Sequence, residues 1–220
     1  MHAVGIVAAA GSGLRLGADQ PKALVPLAGR PLVGWAVEAL RAGGVADLIV
    51  AVPPAERAQF AAVLPRDVRL VDGGATRTAS VRAALAVAGD AADAVLVHDA
   101  ARPLTPPEVV ARVLAALAAG APAVVPVLPV VDTTVVVGED GVITDTVPRQ
   151  GLRRVQTPQG FDRATLTAAY AELADGAELT DDAAVVRACG VPVSTVPGDE
   201  RSGKVTVAHD LLLAELQVRK

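Results

Sequence analysis

The sequence is short of the residue types that build several common kinds of site. Cys189 is the only cysteine among 220 residues, which excludes an intrachain disulfide and a metal site made of several cysteines. We expect Cys189 to be a small buried filler near the end of a helix. Only 2% of the residues are aromatic. The core must therefore consist of Ala, Val and Leu, with Trp35, Phe60, Phe161 and Tyr170 as isolated large side chains.

The sequence also lacks an excess of positive charge and any very long apolar run. Its formal net charge of −4 provides no general basic field for nucleic acid. A local cationic site in an acidic protein suits a small anion better. No apolar stretch approaches the length that spans a membrane. The apolar residues 3–10 have no basic leading segment and run into a glycine-rich loop, so we predict a strand rather than a signal peptide, in a cytoplasmic protein.

That glycine-rich loop, residues 8–22, reads AAAGSGLRLGADQPK and follows a predicted first strand. Gly11 and Gly13 let the backbone turn tightly and approach a ligand with no Cβ in the way. Successive N–H groups in such a turn form a cradle for anions. Arg15 and Lys22 add two positive charges. The pattern predicts a phosphate-binding loop, and the alternative is an ordinary strand-to-helix turn that happens to carry charges.

Two well-known phosphate-binding motifs are excluded by spacing. A dinucleotide fingerprint needs a glycine at position 16, where this chain has Leu16, and Gly17 comes one residue too late. The G-x-x-x-x-G-K-[ST] pattern of a P-loop does not occur.

The rest of the first half alternates predicted strands with predicted helices. Strands are predicted at 4–9, 48–52, 68–71, 95–99 and 121–127, and helices at 31–42, 54–64, 76–87 and 106–119. This alternation predicts a single α/β domain, residues 1–220, with a doubly wound and mostly parallel sheet. Ligands of such sheets bind beyond the carboxyl ends of the strands, where the glycine-rich loop and two other polar segments also lie.

The second half breaks this pattern with a predicted β-hairpin. Residues 133–137 and 142–146 are rich in strand formers and are joined by a Gly-Glu-Asp-Gly turn. An isolated hairpin is marginally stable in water, so we interpret 132–150 as an arm for dimerisation, the alternative being a hairpin that lies on its own domain. Further helices are predicted at 163–173, 181–188 with Thr180 as the cap, and 210–218, and strands at 191–196 and 204–207.

The polar segments at the strand ends supply the candidate site residues. Asp99 could bind a metal or substrate hydroxyls, or cap the following turn. Arg102 could clamp a phosphate, or pair with Asp99. His98 is more consistent with a structural hydrogen bond than with a catalytic base. For Lys204, the sequence favours a site residue and a solvated lysine at a strand end equally.

A second group of polar residues begins a predicted helix. Ser80 and the backbone of Gly74 could read a base edge, and Arg77 could reach phosphates or pair with an acid. Asp181 and Asp182 are interpreted as charges in a first helical turn, where the helix dipole favours them.

These motifs, taken together, resemble a known family. The pattern A-A-G-x-G-x-R-x-G-x-x-x-P-K ends at Lys22, and six further motifs follow it in order: Asp72-Gly73-Gly74-x-x-Arg77-x-x-Ser80-Val81, His98-Asp99-Ala100-Ala101-Arg102-Pro103, Asp132-Thr133, Thr157-Pro158-Gln159, Leu179-Thr180-Asp181 and Lys204-Val205-Thr206. They span nearly the whole chain. The sequence resembles the 2-C-methyl-D-erythritol 4-phosphate cytidylyltransferases of non-mevalonate isoprenoid biosynthesis, which implies a Rossmann-like nucleotidyltransferase fold.

The resemblance implies specific roles. Arg15 and Lys22 would stabilise the transition state. The CTP site would comprise Ala9, Ala10, Gly11, Gly13, Arg15, Lys22, Gly74, Ser80, Ala100 and Lys204. Residues that handle the methylerythritol phosphate would be Asp99, Arg102, Thr133, Arg149, Thr180 and Lys204. Thr133 and Arg149 would come from the partner's arm in a homodimer. Mg²⁺ or another divalent cation is expected as cofactor, with ligands that the sequence does not identify.

Three alternatives share parts of this pattern. The nearest is a cytidylyltransferase for ribitol 5-phosphate on the same scaffold, followed by a sugar-nucleotide synthase that uses another base. A non-catalytic nucleotide sensor is the third, and the joint presence of Arg15, Lys22 and Lys204 argues against it, since a sensor does not need a full set of transition-state cations.

Overall fold

The computed structural model of the protein describes residues 1–11, 20–174 and 179–219. The predictions made for Gly13 and Arg15 concern positions outside these residues. The strands of the described chain are β1 (Ala3–Ala8), β2 (Pro26–Leu27), β3 (Arg30–Pro31), β4 (Asp47–Val52), β5 (Arg69–Asp72), β6 (Ala94–Asp99), β7 (Ala123–Pro129), β8 (Thr134–Val137), β9 (Ile143–Val147), β10 (Arg153–Val155), β11 (Gln159–Asp162) and β12 (Ser194–Pro197).

The described helices lie between these strands and mostly agree with the predicted ones to within a few residues. They are α1 (Leu32–Ala42), α2 (Arg57–Val63), α3 (Arg77–Ala86), α4 (Pro107–Ala118), α5 (Arg163–Glu172), α6 (Asp182–Ala188) and α7 (Ala208–Val218). Short 3₁₀ turns occur at Lys22–Leu24, Pro54–Glu56, Arg149–Gly151 and Glu200–Ser202. The first turn of the helix predicted at 54–64 is one of them.

Eight strands form the central sheet in the order β10-β7-β11-β6-β1-β4-β5, with β12 also paired to β7. The pairs β1–β4, β1–β6, β4–β5 and β12–β7 are parallel, whereas β10 and β11 run antiparallel to their neighbours. The predicted fold class, a mostly parallel α/β sheet, is confirmed.

Side chains of the central strands point alternately to two separate cores, as the period of a β-strand requires. In β4, Leu48, Val50 and Val52 pack in the core that α1, α2 and α4 cover. Ile49 and Ala51 pack in the core that α3, α5 and α6 cover. Burial on both faces explains why these strands are continuous apolar runs.

Several segments differ from the predicted arrangement, among them the unpredicted strands β10 and β11 and residues 204–207. β11 enters the sheet between β6 and β7, a position that no predicted strand occupied. Gly160 in β11 allows this, because a Cβ there would lie 2.4 Å from Val113 Cγ1 of α4. The strand predicted at 204–207 is wrong. The Val205 N–H instead makes a 2.8 Å hydrogen bond to the Ala101 carbonyl, which ties this segment to the chain after β6.

The predicted hairpin is present as the pair β8–β9, which forms its own two-stranded sheet. Its turn is closed by the Gly138 N–H, which donates to the Val142 carbonyl at 2.9 Å. Gly141 takes a φ of 80°, a left-handed conformation that favours glycine. Ile143 and Val142 are among the exposed large apolar side chains of the hairpin.

Two further expectations concern single features. Cys189 lies directly after α6, near the end of a helix as predicted, but it is exposed, so the prediction of a buried filler is wrong. Within the described ranges, no helix combines the length and the apolar character needed to cross a membrane.

Candidate active site

A cleft of about 590 Å³ opens at the carboxyl ends of β1, β5 and β6. Parallel pairing brings these ends to one edge, because Ala8 is in register with Asp99 on one side and with Ala51 on the other. The residues that line the cleft are Ala8, Ala9, Ala10, Gly11, Lys22, Ala23, Gly74, Ala75, Thr76, Arg77, Ser80, Asp99, Ala100, Ala101, Lys204 and Thr206. Among the described residues, this set includes every predicted nucleotide-binding residue.

The chain after β5 passes close to the wall of the cleft, which requires glycine. A Cβ on Gly73 would lie 2.7 Å from Ala10 Cβ, and one on Gly74 would lie 2.5 Å from Ala79 Cβ. The Ser80 hydroxyl accepts a hydrogen bond from the Gly74 N–H at 3.1 Å and donates one to the Thr76 carbonyl at 2.8 Å. Ser80 therefore fixes the shape of this turn, and its reading of a base edge stays a prediction.

Asp99 is a nearly buried carboxylate surrounded by positive charge. Its Oδ1 accepts from Arg77 Nε at 3.1 Å and its Oδ2 accepts from Lys204 Nζ at 2.8 Å. Arg102 Nε lies 4.0 Å from Oδ2. Burial alone would raise the pKa of Asp99, but Arg77, Lys204 and Arg102 outweigh it and hold the pKa well below its usual range. The carboxylate is thus ionised whenever the protein is folded near neutral pH.

Arg77 connects Asp99 to a second, fully buried carboxylate. Its Nη2 donates to Asp182 Oδ2 at 2.7 Å, and the Tyr170 hydroxyl donates to Asp182 Oδ1 at 2.6 Å. Burial alone would lower the pKa of Arg77, but Asp182 and Asp99 raise it. Burial, reinforced by Asp182, raises the pKa of Tyr170. We name the hydrogen-bonded row Tyr170–Asp182–Arg77–Asp99 the buried relay.

His98 is wholly buried and has both ring nitrogens in hydrogen bonds. Nδ1 accepts from the Thr157 hydroxyl at 2.8 Å, and Nε2 donates to the Arg102 carbonyl at 3.2 Å. The Thr157 oxygen in turn accepts from the Asp99 N–H at 3.0 Å. Burial lowers the pKa of His98 to about 4. The ring is neutral and fully engaged, so the interpretation of His98 as a structural residue is confirmed.

Arg102 lies beside the cleft rather than in its lining. Its Nη1 donates to the Ser202 carbonyl at 2.8 Å and its Nη2 to the Val155 carbonyl at 3.3 Å. The guanidinium therefore joins three segments of the chain next to Asp99. The pairing alternative fits this arrangement, and a phosphate clamp stays a prediction.

Besides Arg102, three more residues predicted to bind the acceptor lie outside the cleft lining of this chain. Thr133 precedes β8 and Arg149 follows β9, where its Nη1 donates to the Val131 carbonyl across the base of the hairpin. Thr180 is exposed. The predicted cap by Thr180 is wrong, because Asp181 caps α6 by accepting from the Ala184 N–H at 2.8 Å.

Two of the three predicted cations lie in the same cleft. Lys22 and Lys204 both line the cleft. Lys22 follows Pro21 in a 3₁₀ turn and Lys204 reaches in from the segment tied to Ala101. The other predicted cation, Arg15, lies outside the described residues, as does Gly13.

Sequence reasoning missed the role of two side chains. Asp182 is predicted as a first-turn charge and does lie in the first turn of α6, but its side chain is 0% exposed and bonds to Arg77 and Tyr170. Tyr170 was interpreted only as a large filler. Arg77 and Asp182 are separated by 105 positions along the chain, so no local spacing connects them. The only signal was the pair of adjacent acids at the start of a helix, which by itself indicates a cap.

The described residues contain no group of three or more His, Cys, Asp or Glu side chains that could hold a metal ion. Asp99 is the carboxylate in the cleft lining. Mg²⁺ is often bound through one or two carboxylates together with substrate phosphates and waters, rather than by an all-protein cage. The donors present fit a metal ion of that kind.

Comparisons with known proteins agree with this geometry. A family model described as 2-C-methyl-D-erythritol 4-phosphate cytidylyltransferase matches residues 3–220. A protein of that name from Frankia casuarinae is 54% identical, with 96% of this chain and 79% of that protein aligned. The one from Nocardia farcinica is 54% identical over 96% of this chain and 92% of its own length. The crystal structure of the Thermus thermophilus enzyme of that name, 40% identical, covers 100% of both chains with a TM-score of 0.84.

The burial of neutral His98 predicts a stability that falls in mild acid. Between pH 6.5 and about 4, the unfolded chain binds a proton at this imidazole that the folded chain excludes. The free energy of unfolding should therefore fall as the pH falls through this window, by about 3 kcal/mol in total. Urea unfolding at a series of pH values measures this.

The variant His98→Gln should flatten that slope, whereas His209→Gln, at an exposed position, should leave it unchanged. The pH window assigned to His98 ends at about pH 4. The pKa of Asp99 is lowered, so the stability that this carboxylate contributes is lost at still lower pH and does not overlap the His98 window. An equal slope in wild type and His98→Gln would show that the imidazole is not buried in its neutral form.

Proposed function

The chain belongs to the 2-C-methyl-D-erythritol 4-phosphate cytidylyltransferase family, and we propose on that basis that it transfers a cytidylyl group from CTP to 2-C-methyl-D-erythritol 4-phosphate. The products are 4-diphosphocytidyl-2-C-methyl-D-erythritol and pyrophosphate. The protein is thus a nucleotidyltransferase of non-mevalonate isoprenoid biosynthesis.

The proposal rests on one observation, namely which residues line the cleft. The start of the glycine-rich loop, the Gly74 turn, Lys22, Lys204 and Asp99 come from distant parts of the sequence and line a single cavity. Its volume of about 590 Å³ lies in the range typical of small-molecule sites. The cavity combines a backbone surface without large side chains, suited to a nucleotide, with fixed positive charge suited to phosphates.

In the proposed reaction, an oxygen of the acceptor's phosphate monoester attacks the α-phosphorus of CTP. A new P–O bond forms, the bond between the α-phosphorus and its bridging oxygen breaks, and pyrophosphate leaves in line. The second pKa of a phosphate monoester is about 6, so the attacking group is largely dianionic at neutral pH. No general base is required, which agrees with the engaged and neutral imidazole of His98.

Catalysis then consists of positioning and charge neutralisation. Lys22 and Lys204 supply fixed positive charge at the cleft, and we assign Arg15 to the same task from the resemblance of its motif. Lys204 is already oriented by its 2.8 Å contact with Asp99. Asp99 is ionised and can accept hydrogen bonds from acceptor hydroxyls.

We propose Mg²⁺ as the cofactor, held mainly by the triphosphate with Asp99 as the protein carboxylate in reach. When bound, the ion would neutralise the negative charge that develops on the phosphate oxygens.

We further propose that the protein is a cytoplasmic homodimer whose single domain, residues 1–220, exchanges the arm 132–150 with its partner. The arm carries exposed apolar side chains, including Ile143 and Val137. Exposed apolar surface of this kind marks interaction sites. The exchange would bring Thr133 and Arg149 to the partner's cleft, which explains why they lie outside the cleft of their own chain.

The choice of acceptor is tested by pyrophosphate release from CTP with Mg²⁺. We expect release with 2-C-methyl-D-erythritol 4-phosphate, because Asp99 and the cations of the cleft match a small polyol phosphate. Faster release with ribitol 5-phosphate would reassign the enzyme to the alternative acceptor. No release with any polyol phosphate would favour a nucleotide sensor.

The role of Lys22 is tested by the variant Lys22→Ala. Loss of one preorganised positive charge should reduce kcat about 100-fold, or about 3 kcal/mol of transition-state stabilisation. The variant should still bind CTP, as measured by isothermal titration calorimetry. Arg66→Ala removes an exposed positive charge as a control and should leave kcat unchanged. Near-full turnover of Lys22→Ala with intact CTP binding would contradict this assignment.

The arm is tested by sedimentation velocity. Wild type should sediment as a dimer, and Ile143→Asp should sediment as a monomer, because a charge replaces an apolar side chain that is 62% exposed in the single chain. Leu212→Asp, at a similarly exposed position of α7, is the matched control. Dissociation by the α7 variant alone would move the interface away from the arm.

A further inference from the structure

Resting on the proposed function, we infer that Asp182 and Tyr170 are positioning residues for the acceptor. They hold the guanidinium of Arg77 in the orientation in which its Nε bonds to Asp99. Neither residue lines the cleft, so both act through Arg77. The physical basis is the buried relay.

At the inner end of the buried relay, the carboxylate oxygens of Asp182 have hydrogen-bond donors from the protein and need none from solvent. Each oxygen of Asp182 accepts from a different donor, Oδ2 from Arg77 at 2.7 Å and Oδ1 from Tyr170 at 2.6 Å. The Asp182 side chain is 0% exposed. A buried ion pair is often no more stabilising than apolar residues of the same volume, so stability alone does not account for this arrangement.

Arg77 itself is suited to transmit an orientation. Its guanidinium is planar and presents donors in a fixed fork. With Nη2 held by Asp182, rotation of the plane is restricted and Nε is aimed at Asp99 Oδ1, 3.1 Å away. Arg77 also lines the cleft. A guanidinium released from Asp182 would be attracted to the phosphates of a bound nucleotide and would leave Asp99.

The outer end of the relay fixes the carboxylate proposed to bind the acceptor. Lys204 also holds Oδ2 of Asp99, and its side chain is 42% exposed. Arg77, whose side chain is 25% exposed and is also bonded to Asp182, is the more enclosed of the two partners. Removal of the inner support should therefore reorient Asp99 and weaken binding of the acceptor more than binding of CTP.

Steady-state kinetics of two variants test this inference. Tyr170→Phe removes one hydroxyl, and Asp182→Asn keeps the volume but removes the charge. We expect the KM for the acceptor to rise about fivefold in Tyr170→Phe and about tenfold or more in Asp182→Asn, consistent with the loss of one hydrogen bond to a charged group. The KM for CTP should change less than about twofold.

Leu166→Val is the matched control. Leu166 is fully buried in α5, the helix that carries Tyr170. The variant should lower the melting temperature without changing either KM. Equal rises in both KM values, or an acceptor KM that is unchanged in Tyr170→Phe and Asp182→Asn, would overturn the inference.

A second measurement does not depend on activity. In ligand-free protein labelled with ¹⁵N-arginine, the Arg77 Nε–H signal, identified by its absence in Arg77→Lys, should exchange slowly with water. Exchange should accelerate about tenfold or more in Asp182→Asn and to a smaller degree in Tyr170→Phe. Unchanged exchange in both would refute the positioning role. If the wild type released no pyrophosphate, the proposed function would be refuted. The exchange measurement would still test the positioning of Arg77, because it is made on ligand-free protein and does not need activity.

Discussion

The ionised carboxylate of Asp99, nearly buried at the end of β6, is the interaction around which the cleft is arranged. Isolated in a protein interior such a charge would be costly, and here Arg77, Lys204 and Arg102 offset the cost. These cations come from α3, from the chain near the C-terminus and from the turn after β6. Asp99 thus contacts segments that are distant in the sequence. The same contacts bring to the cleft the cations that phosphate chemistry needs.

The sheet decides where this cluster lies. Parallel pairing of β1 with β4 and β6 aligns their carboxyl ends, so the loops that follow open on the same edge. Residues with small side chains or none, such as Ala10 and Gly73, keep that edge open because the backbones approach too closely for anything larger. The apolar core on both faces keeps the strands rigid, and a rigid frame holds charged groups at fixed separations.

Much of the fold could be predicted from the sequence, because it rests on local patterns. Alternating apolar segments indicated the parallel sheet, and the spacing of strand formers around a glycine turn indicated β8 and β9. The strands β10 and β11 escaped prediction, since they are short and antiparallel and are stabilised by pairing with β6 and β7 rather than by their own composition. The segment at Lys204 is predicted as a strand because its residues favour strands, but contacts with Ala101, Asp99 and Asp210 hold it outside any sheet.

Sequence alone determined the chemistry available, namely a glycine-rich turn, cations at Lys22 and Lys204, and polar strand ends that resemble one family from end to end. These features depend on residue type and spacing, which a linear chain displays directly. Only the tertiary structure decided which charges meet. Asp182 became the buried partner of Arg77 and Tyr170, and His98 became neutral, because burial and distance are properties of the folded chain and not of neighbouring positions in the sequence.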